Sequence, residues 1–251
     1  LPSAGCGNAG VAGYQTLTIP GTPPRSYDLL VPTPYDPARP LALVFVFHAA
    51  FGNSVQAESW GLQNAGTAAT DGIFVFPQGI DFSENGTDYG IGWNEHCDGY
   101  DMPFFDAMAQ YIESNYCVDT NRVFATGFSW GADFTNNLGC CRGDKLRAVA
   151  PASGADGDYN PSSACASRMP AFRITYGDQD GSYPQAAFDT VVNLYRSAHQ
   201  CSTASDAIPP PPCIAYRGCD QPVLECKYAG MGHDLPPGWS ADVWSWLSTF
   251  Q

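Results

Sequence analysis

The sequence predicts an α/β fold, a doubly wound and mostly parallel sheet with helices on both faces, and three observations carry that expectation. Leu41–Phe47 is an unbroken apolar run, which suits a strand buried on both sides rather than one alternating between core and water. Similar short runs recur at 73–76, 123–126, 147–150, 172–176 and Val223–Tyr228. Helical patterns fall between them, and strands alternating with helices form βαβ units.

The elements follow in order. Residues 14–19 alternate, and after the turn Gly21-Thr22-Pro23-Pro24 residues 26–31 answer them, so the pair reads as an opening β-hairpin. Apolar side chains at helical spacing mark helices over 56–69, 104–115, 132–141, 185–199 and 241–250. The one strongly biased stretch, Ile208-Pro209-Pro210-Pro211-Pro212, lies among Cys201, Cys213 and Cys219. Strand-like residues resume at once and too little chain remains for a second domain, so a disulfide-pinned surface loop is expected there rather than a linker. At 251 residues with no internal repeat, a single domain over 1–251 is expected.

Composition narrows the function. A formal charge of −14 with only 11 Lys plus Arg disfavours a phosphate-backbone partner, because nucleic-acid binding needs clustered cations. It also opposes an anionic membrane surface, and no apolar run reaches the roughly 20 residues that span a bilayer. Neither nucleic acid nor membrane is expected as a partner. The ten cysteines are even in number and lack the paired C-x2-C or H-x3-5-H spacing of structural zinc sites, so disulfides and an oxidising, extracellular setting are expected. No metal ligand set is identified. The start at Leu1-Pro2-Ser3, without an initiator Met, reads as a processed mature form whose targeting segment has been removed. Asn85-Gly86-Thr87 is a glycosylation sequon in a Gly- and Asp-rich, loop-like segment.

Gly127-Phe128-Ser129-Trp130-Gly131 matches G-x-S-x-G between a buried strand and a helix, the setting of the nucleophile turn in α/β-hydrolases. A serine hydroxyl attacks only when a base takes its proton, and histidine suits that task near neutrality. Of four histidines, His233 falls after the last strand and before the last helix, where the order Ser, Asp, His places the base. His48 instead directly follows the strand Leu41–Phe47, at the place of an oxyanion turn. Asp178 and Asp180 both follow the strand 172–176, and either fits the acid that orients the imidazole. Negative charge on the attacked carbonyl oxygen calls for two backbone N–H donors, expected from Trp130 and from Ala50 in the turn His48-Ala49-Ala50-Phe51-Gly52.

Val44-Phe45-Val46-Phe47-His48, Gly92-Trp93-Asn94, Arg122 to Gly131 and Ala150-Pro151-Ala152-Ser153-Gly154, in this order, resemble carbohydrate esterase family 1. That family includes secreted fungal feruloyl esterases and acetylxylan esterases, with polyhydroxybutyrate depolymerases more distant. The resemblance covers nearly the whole chain and implies an α/β-hydrolase fold, ester hydrolysis through an acyl-enzyme without metal or organic cofactor, and plant cell-wall polysaccharide as substrate. The family's acidic loop commonly reads H-G-x-x-D, and Tyr176-Gly177-Asp178-Gln179-Asp180 matches with Tyr for His, which selects Asp180. Ala49 stands where relatives commonly carry Gly, so the oxyanion turn departs in detail.

Ferulate needs an apolar, aromatic-lined acyl pocket, and acetate only a small one. Phe51, Tyr89, Trp93, Trp130 and Tyr183 lie near the expected site, so the reading favours a feruloyl esterase acting as a monomer on feruloylated polysaccharide. Acetylxylan esterase is the alternative with the same triad. A lipase or cutinase would share the triad, but no amphipathic lid helix is present. A non-catalytic carbohydrate-binding protein on this scaffold is a further reading, which the complete set Ser129, Asp180 and His233 opposes.

Overall fold

The computed structural model describes residues 1–21, 23–155, 165 and 168–251. Along the chain run β1 (Gly13–Ile19), β2 (Arg25–Val31), β3 (Leu41–Phe47), α1 (Ser54–Ser59), α2 (Ala68–Asp71), β4 (Gly72–Pro77), β5 (Ile80–Glu84) and β6 (Thr87–Gly92). There follow α3 (Asp101–Asn115), β7 (Val118–Phe128), α4 (Trp130–Cys141), β8 (Ala148–Ala152), β9 (Ala171–Gly177), α5 (Gln185–Ala198), β10 (Ser205–Ala207), β11 (Cys213–Tyr216), β12 (Val223–Tyr228) and α6 (Trp239–Leu247).

One ten-stranded sheet has the order β1-β2-β4-β3-β7-β8-β9-β12-β11-β10. Its six central strands pair in parallel, and each edge is finished by antiparallel strands. Every residue of β3 is buried, as the unbroken apolar run requires, whereas β1 alternates at the edge. Two cores follow from the two faces of the sheet. Phe45, Phe47, Phe105, Met108, Phe134, Leu138, Phe172 and Tyr195 pack with α3, α4 and α5 on one side. Val44, Val46, Phe74, Phe76, Phe124, Trp239 and Trp244 pack with α1, α2 and α6 on the other. No helix among the described residues is long and apolar enough to cross a membrane.

Two expectations are corrected. The helix expected over 56–69 is broken into α1, a short 3-10 turn at Leu62–Asn64, and α2. Gly61 and Gly66 stand at φ 75° and 52°, left-handed positions at which a helix cannot continue. The long loop expected before α3 contains instead a separate two-stranded hairpin, β5 with β6, turning at Asn85 and Gly86. Asn85 is exposed at that turn. The proline-rich stretch is the disulfide-pinned surface loop that the sequence suggests: it links two short strands, β10 and β11, that extend the main sheet, and Cys201–Cys219 and Cys213–Cys226 hold this region. Cys6–Cys117, Cys97–Cys141 and Cys140–Cys165 complete five disulfides, which use all ten cysteines.

Candidate active site

The carboxyl ends of the parallel strands share one edge, where ligands bind in open α/β sheets. β7 delivers Ser129, β9 the loop with Asp178 and Asp180, β12 the loop with His233, and β3 the turn from His48 to Gly52. Ser129 has φ 56° and ψ −127° and stands as the residue before α4. Its flanking glycines are needed because a Cβ on Gly131 would run into the carbonyl oxygens of Phe47 and His48, and one on Gly127 into the Gly131 backbone. Ser129 N–H donates to the Ala152 carbonyl (3.0 Å), fixing the turn against β8.

His233 lies with Nε2 2.9 Å from Ser129 Oγ and Nδ1 2.9 Å from Asp180 Oδ2. The Asp180 carboxylate is fully buried and its other oxygen accepts the N–H groups of Ser182 (2.9 Å) and Tyr183 (3.2 Å). Asp178 turns away and accepts the Gly230 N–H (2.7 Å), so it braces the His233 loop as a turn residue. Gly177 lets the two loops pack together, since a Cβ there would strike the Met231 backbone, and Gln179 N–H donates to the Met231 carbonyl (3.0 Å). Ser153 Oγ donates to the Asp234 carbonyl (3.1 Å), a second brace from β8 onto the same loop.

The turn after β3 commits its donors selectively. Ala49 N–H donates to Gln56 Oε1 (3.1 Å), Phe51 N–H to the Ile91 carbonyl (2.8 Å) and Gly52 N–H to the Ala49 carbonyl (3.0 Å). Ala50 N–H has no partner among the described hydrogen bonds, and Ala50 lines the cleft above Ser129. The N–H of Trp130 opens α4, where helix donors lack intrahelical acceptors. Gln56, which sequence reasoning missed, holds this turn from α1.

His48 is wholly buried beneath it. Gly79 N–H donates to its Nε2 (2.9 Å), so Nδ1 carries the proton and donates to the Ala49 carbonyl (2.8 Å). Burial lowers its pKa from the ordinary 6.5 to about 4, the Arg25 charge acts in the same sense, and the Ala49 carbonyl opposes it. An unfolded chain takes a proton at this ring well before the folded chain does. The stability tied to its neutrality is therefore complete above the ordinary value near 6.5 and is lost as pH falls towards about 4, a change on the order of 3 kcal/mol. We expect the His48 ring resonances to keep their neutral NMR shifts down to about pH 5 while Tm declines. Titration of His48 with an ordinary midpoint would show that the ring is not held in this way.

The cleft at Ser129 encloses about 410 Å3 and is lined by Ala50, Phe82, Glu84, Tyr89, Trp93, Glu95, His96, Trp130, Asp133 and Tyr183. Phe82 and Tyr89 come from the β5–β6 hairpin, stack at 5.5 Å and both meet the Trp130 ring edge-on, at 6.0 and 6.5 Å. Tyr183 packs against His233 (5.6 Å) and donates its hydroxyl to Asp133 Oδ2 at 2.5 Å. Burial raises the Tyr183 pKa, with the Asp133 charge next in importance, so the phenol stays protonated.

Trp93 and Phe51, both expected as substrate contacts, differ sharply in exposure. Trp93 is 0% exposed, packed among Phe47, His48 and Phe134, and donates its indole N–H to the His48 carbonyl (2.9 Å). It backs the turn after β3 and forms part of the cleft lining, with its ring covered by its neighbours. Phe51 is 75% exposed and lies outside the cleft lining. Phe82 was not singled out by the sequence, because nothing in a Gly- and Asp-rich segment marks one apolar residue as facing a cleft.

A doubly wound sheet with serine, histidine and aspartate hydrogen-bonded on its carboxyl edge defines an α/β-hydrolase of the serine esterase class. No protein-family model matches the chain. The chain belongs to the feruloyl esterase family: it is 31% identical over 252 residues to feruloyl esterase C of Emericella nidulans, covering 94% of this chain and 84% of that protein. Feruloyl esterase D of Neurospora crassa is 29% identical over 241 residues, covering 88% of this chain and 78% of that protein. Among solved structures, an acetyl xylan esterase from Aspergillus awamori superposes with a TM-score of 0.71 at 16% identity, over 93% of this chain and 99% of that one. A CE1 ferulic acid esterase from Anaeromyces mucronatus, in complex with ferulic acid, gives 0.63 at 18% identity, over 94% of this chain and 90% of that one. These two likenesses establish the fold.

Proposed function

We propose that the protein hydrolyses hydroxycinnamate esters of plant cell-wall polysaccharide through an acyl-enzyme on Ser129. The observation that carries the acyl preference is the aromatic cleft itself: Phe82, Tyr89, Trp130 and Tyr183 line a space of about 410 Å3 beside the nucleophile. That volume lies in the range of about 300–1,000 Å3 found for sites holding drug-sized ligands, larger than acetate requires.

In this reading His233 Nε2 removes the Ser129 proton as Oγ attacks the ester carbonyl. Asp180 holds the tautomer in which Nδ1 carries its hydrogen and stabilises the imidazolium that forms. Charge develops on the carbonyl oxygen, and the N–H groups of Trp130 and Ala50 receive it. The tetrahedral intermediate collapses as His233 protonates the departing sugar oxygen, leaving the acyl group on Oγ. Water, deprotonated by the same imidazole, then attacks the acyl carbonyl and returns Ser129 and the free acid. No step calls for a metal or organic cofactor.

Five disulfides support secretion as the setting, and Asn85 at an exposed hairpin turn supports glycan attachment there. The test is a comparison of kcat/KM on methyl ferulate and on small acetyl esters. Burying a phenolic ring gains roughly 25 cal/mol per Å2 of apolar area, so a fitting cleft favours ferulate by a few kcal/mol, about 10- to 100-fold or more. Rapid deacetylation of xylan with methyl ferulate untouched would transfer the assignment to acetylxylan esterase.

A further inference from the structure

Phe51 combines two unfavourable features. It is a bulky residue at φ 58°, in the left-handed region that side chains with a Cβ seldom occupy, and its ring is 75% exposed to water. Glycine would remove both costs, so the phenyl ring is held in place against local preference. Its position is fixed from two sides: the Phe51 N–H donates to the Ile91 carbonyl at 2.8 Å, and the ring lies over Gly90, where a Cβ would strike its edge. Gly90 itself stands at φ 76°. The neighbouring Tyr89 and Ile91 are exposed as well.

The catalytic geometry says which part of a substrate meets this ring. The reacting carbonyl must lie between Ser129 Oγ and the N–H groups of Ala50 and Trp130. The acyl group then enters the cleft, whose lining includes Ala50 but not Phe51. Phe51 directly follows Ala50 in the same turn, outside that lining, with its ring open to solvent and so available to the part of the substrate that stays outside the cleft. We propose that Phe51 is a sugar-binding residue, stacking its ring on the pentose whose hydroxyl is esterified. The chemistry fits, because one face of a pentose ring presents polarised C–H groups and the negative face of a phenyl quadrupole attracts them while both surfaces leave water. A methyl ester has nothing to place there. The inference rests on the esterase reading above and adds the alcohol side to it.

The test compares kcat/KM for methyl ferulate and for feruloylated arabinose in the wild type, Phe51→Ala, Phe51→Gly and Phe51→Trp. The ratio of sugar ester to methyl ester is expected to fall about tenfold in Phe51→Ala and Phe51→Gly, chiefly through KM, and to be kept in Phe51→Trp. Phe51→Gly is also expected to melt no lower than wild type, since it relieves the backbone at φ 58°. A ratio unchanged within about twofold in Phe51→Ala, with both esters turned over by the wild type, would overturn the sugar contact and leave the esterase reading standing. So would a lower Tm in Phe51→Gly with equal losses on both esters, which would make the ring a structural support. Wild-type inertness towards both esters would overturn the esterase reading and the sugar contact with it.

Discussion

Ser129→Ala is expected to lower ester turnover by a factor of at least about 10^3, to the level left by substrate binding and the backbone donors alone. The substitution removes one atom. Ser129 holds its elbow through backbone bonds, its N–H on the Ala152 carbonyl and its carbonyl on the Ala132 N–H at 2.8 Å, and alanine keeps both. What is lost is the Oγ that lies 2.9 Å from His233 Nε2. Tm is therefore expected within about 1 °C of wild type, as for changes that leave packing intact. Binding of the product acid, followed by tryptophan fluorescence through Trp130 at the cleft wall, should survive. A burst of released phenol from p-nitrophenyl acetate, seen in the wild type if acylation outruns deacylation, should vanish. Turnover within tenfold of wild type would remove Ser129 from the role of nucleophile.

Much of this site is legible in the sequence because its parts are local. The G-x-S-x-G turn marks itself through steric need, as the carbonyl oxygens of Phe47 and His48 leave no room for a side chain on Gly131. Strand ends place the loops of His233 and Asp180 on one edge before any coordinate is known. What escapes is set by contacts between distant segments. Tyr183 is marked in the sequence as an aromatic near the site, but its partner Asp133, 50 residues away, is not, and the short hydrogen bond they share in the cleft wall follows from no local pattern. Gln56 reaches back to the Ala49 N–H from a helix that the pattern of apolar residues extends too far. The β5–β6 hairpin did carry a signal, because Asn85-Gly86 is a strong two-residue hairpin turn as well as part of a sequon. Trp93 illustrates a different limit: an aromatic near a site is equally at home behind it, and only the burial of its indole and the bond to the His48 carbonyl distinguish the two.

The choice between the two aspartates yields the second large effect. Asp180→Asn is expected to reduce kcat by about 10^3–10^4, and Asp178→Asn by no more than about tenfold, with methyl ferulate as substrate. Asparagine keeps the size of the side chain in both cases, so the contrast isolates the charge and its acceptor atoms. At Asp180 the carboxylate accepts from Ser182 and Tyr183 on one oxygen and faces His233 Nδ1 with the other. An amide there must turn either its NH2 or its carbonyl towards Nδ1. With NH2 towards the ring, Nδ1 becomes the acceptor and Nε2 carries the hydrogen, so the base can no longer take the Ser129 proton. With the carbonyl towards the ring, the NH2 is forced against two backbone donors. Either arrangement also removes the negative charge that stabilises the imidazolium, and Asp178, the other carboxylate of the loop, turns away to the Gly230 N–H. Asp178 instead accepts one backbone N–H, that of Gly230, and asparagine can make the same bond with its carbonyl oxygen. Its loss is read as a small change in Tm or in the ordering of the His233 loop rather than in the chemical step. A larger loss of kcat in Asp178→Asn than in Asp180→Asn would contradict the hydrogen-bonded chain from Ser129 through His233 to Asp180.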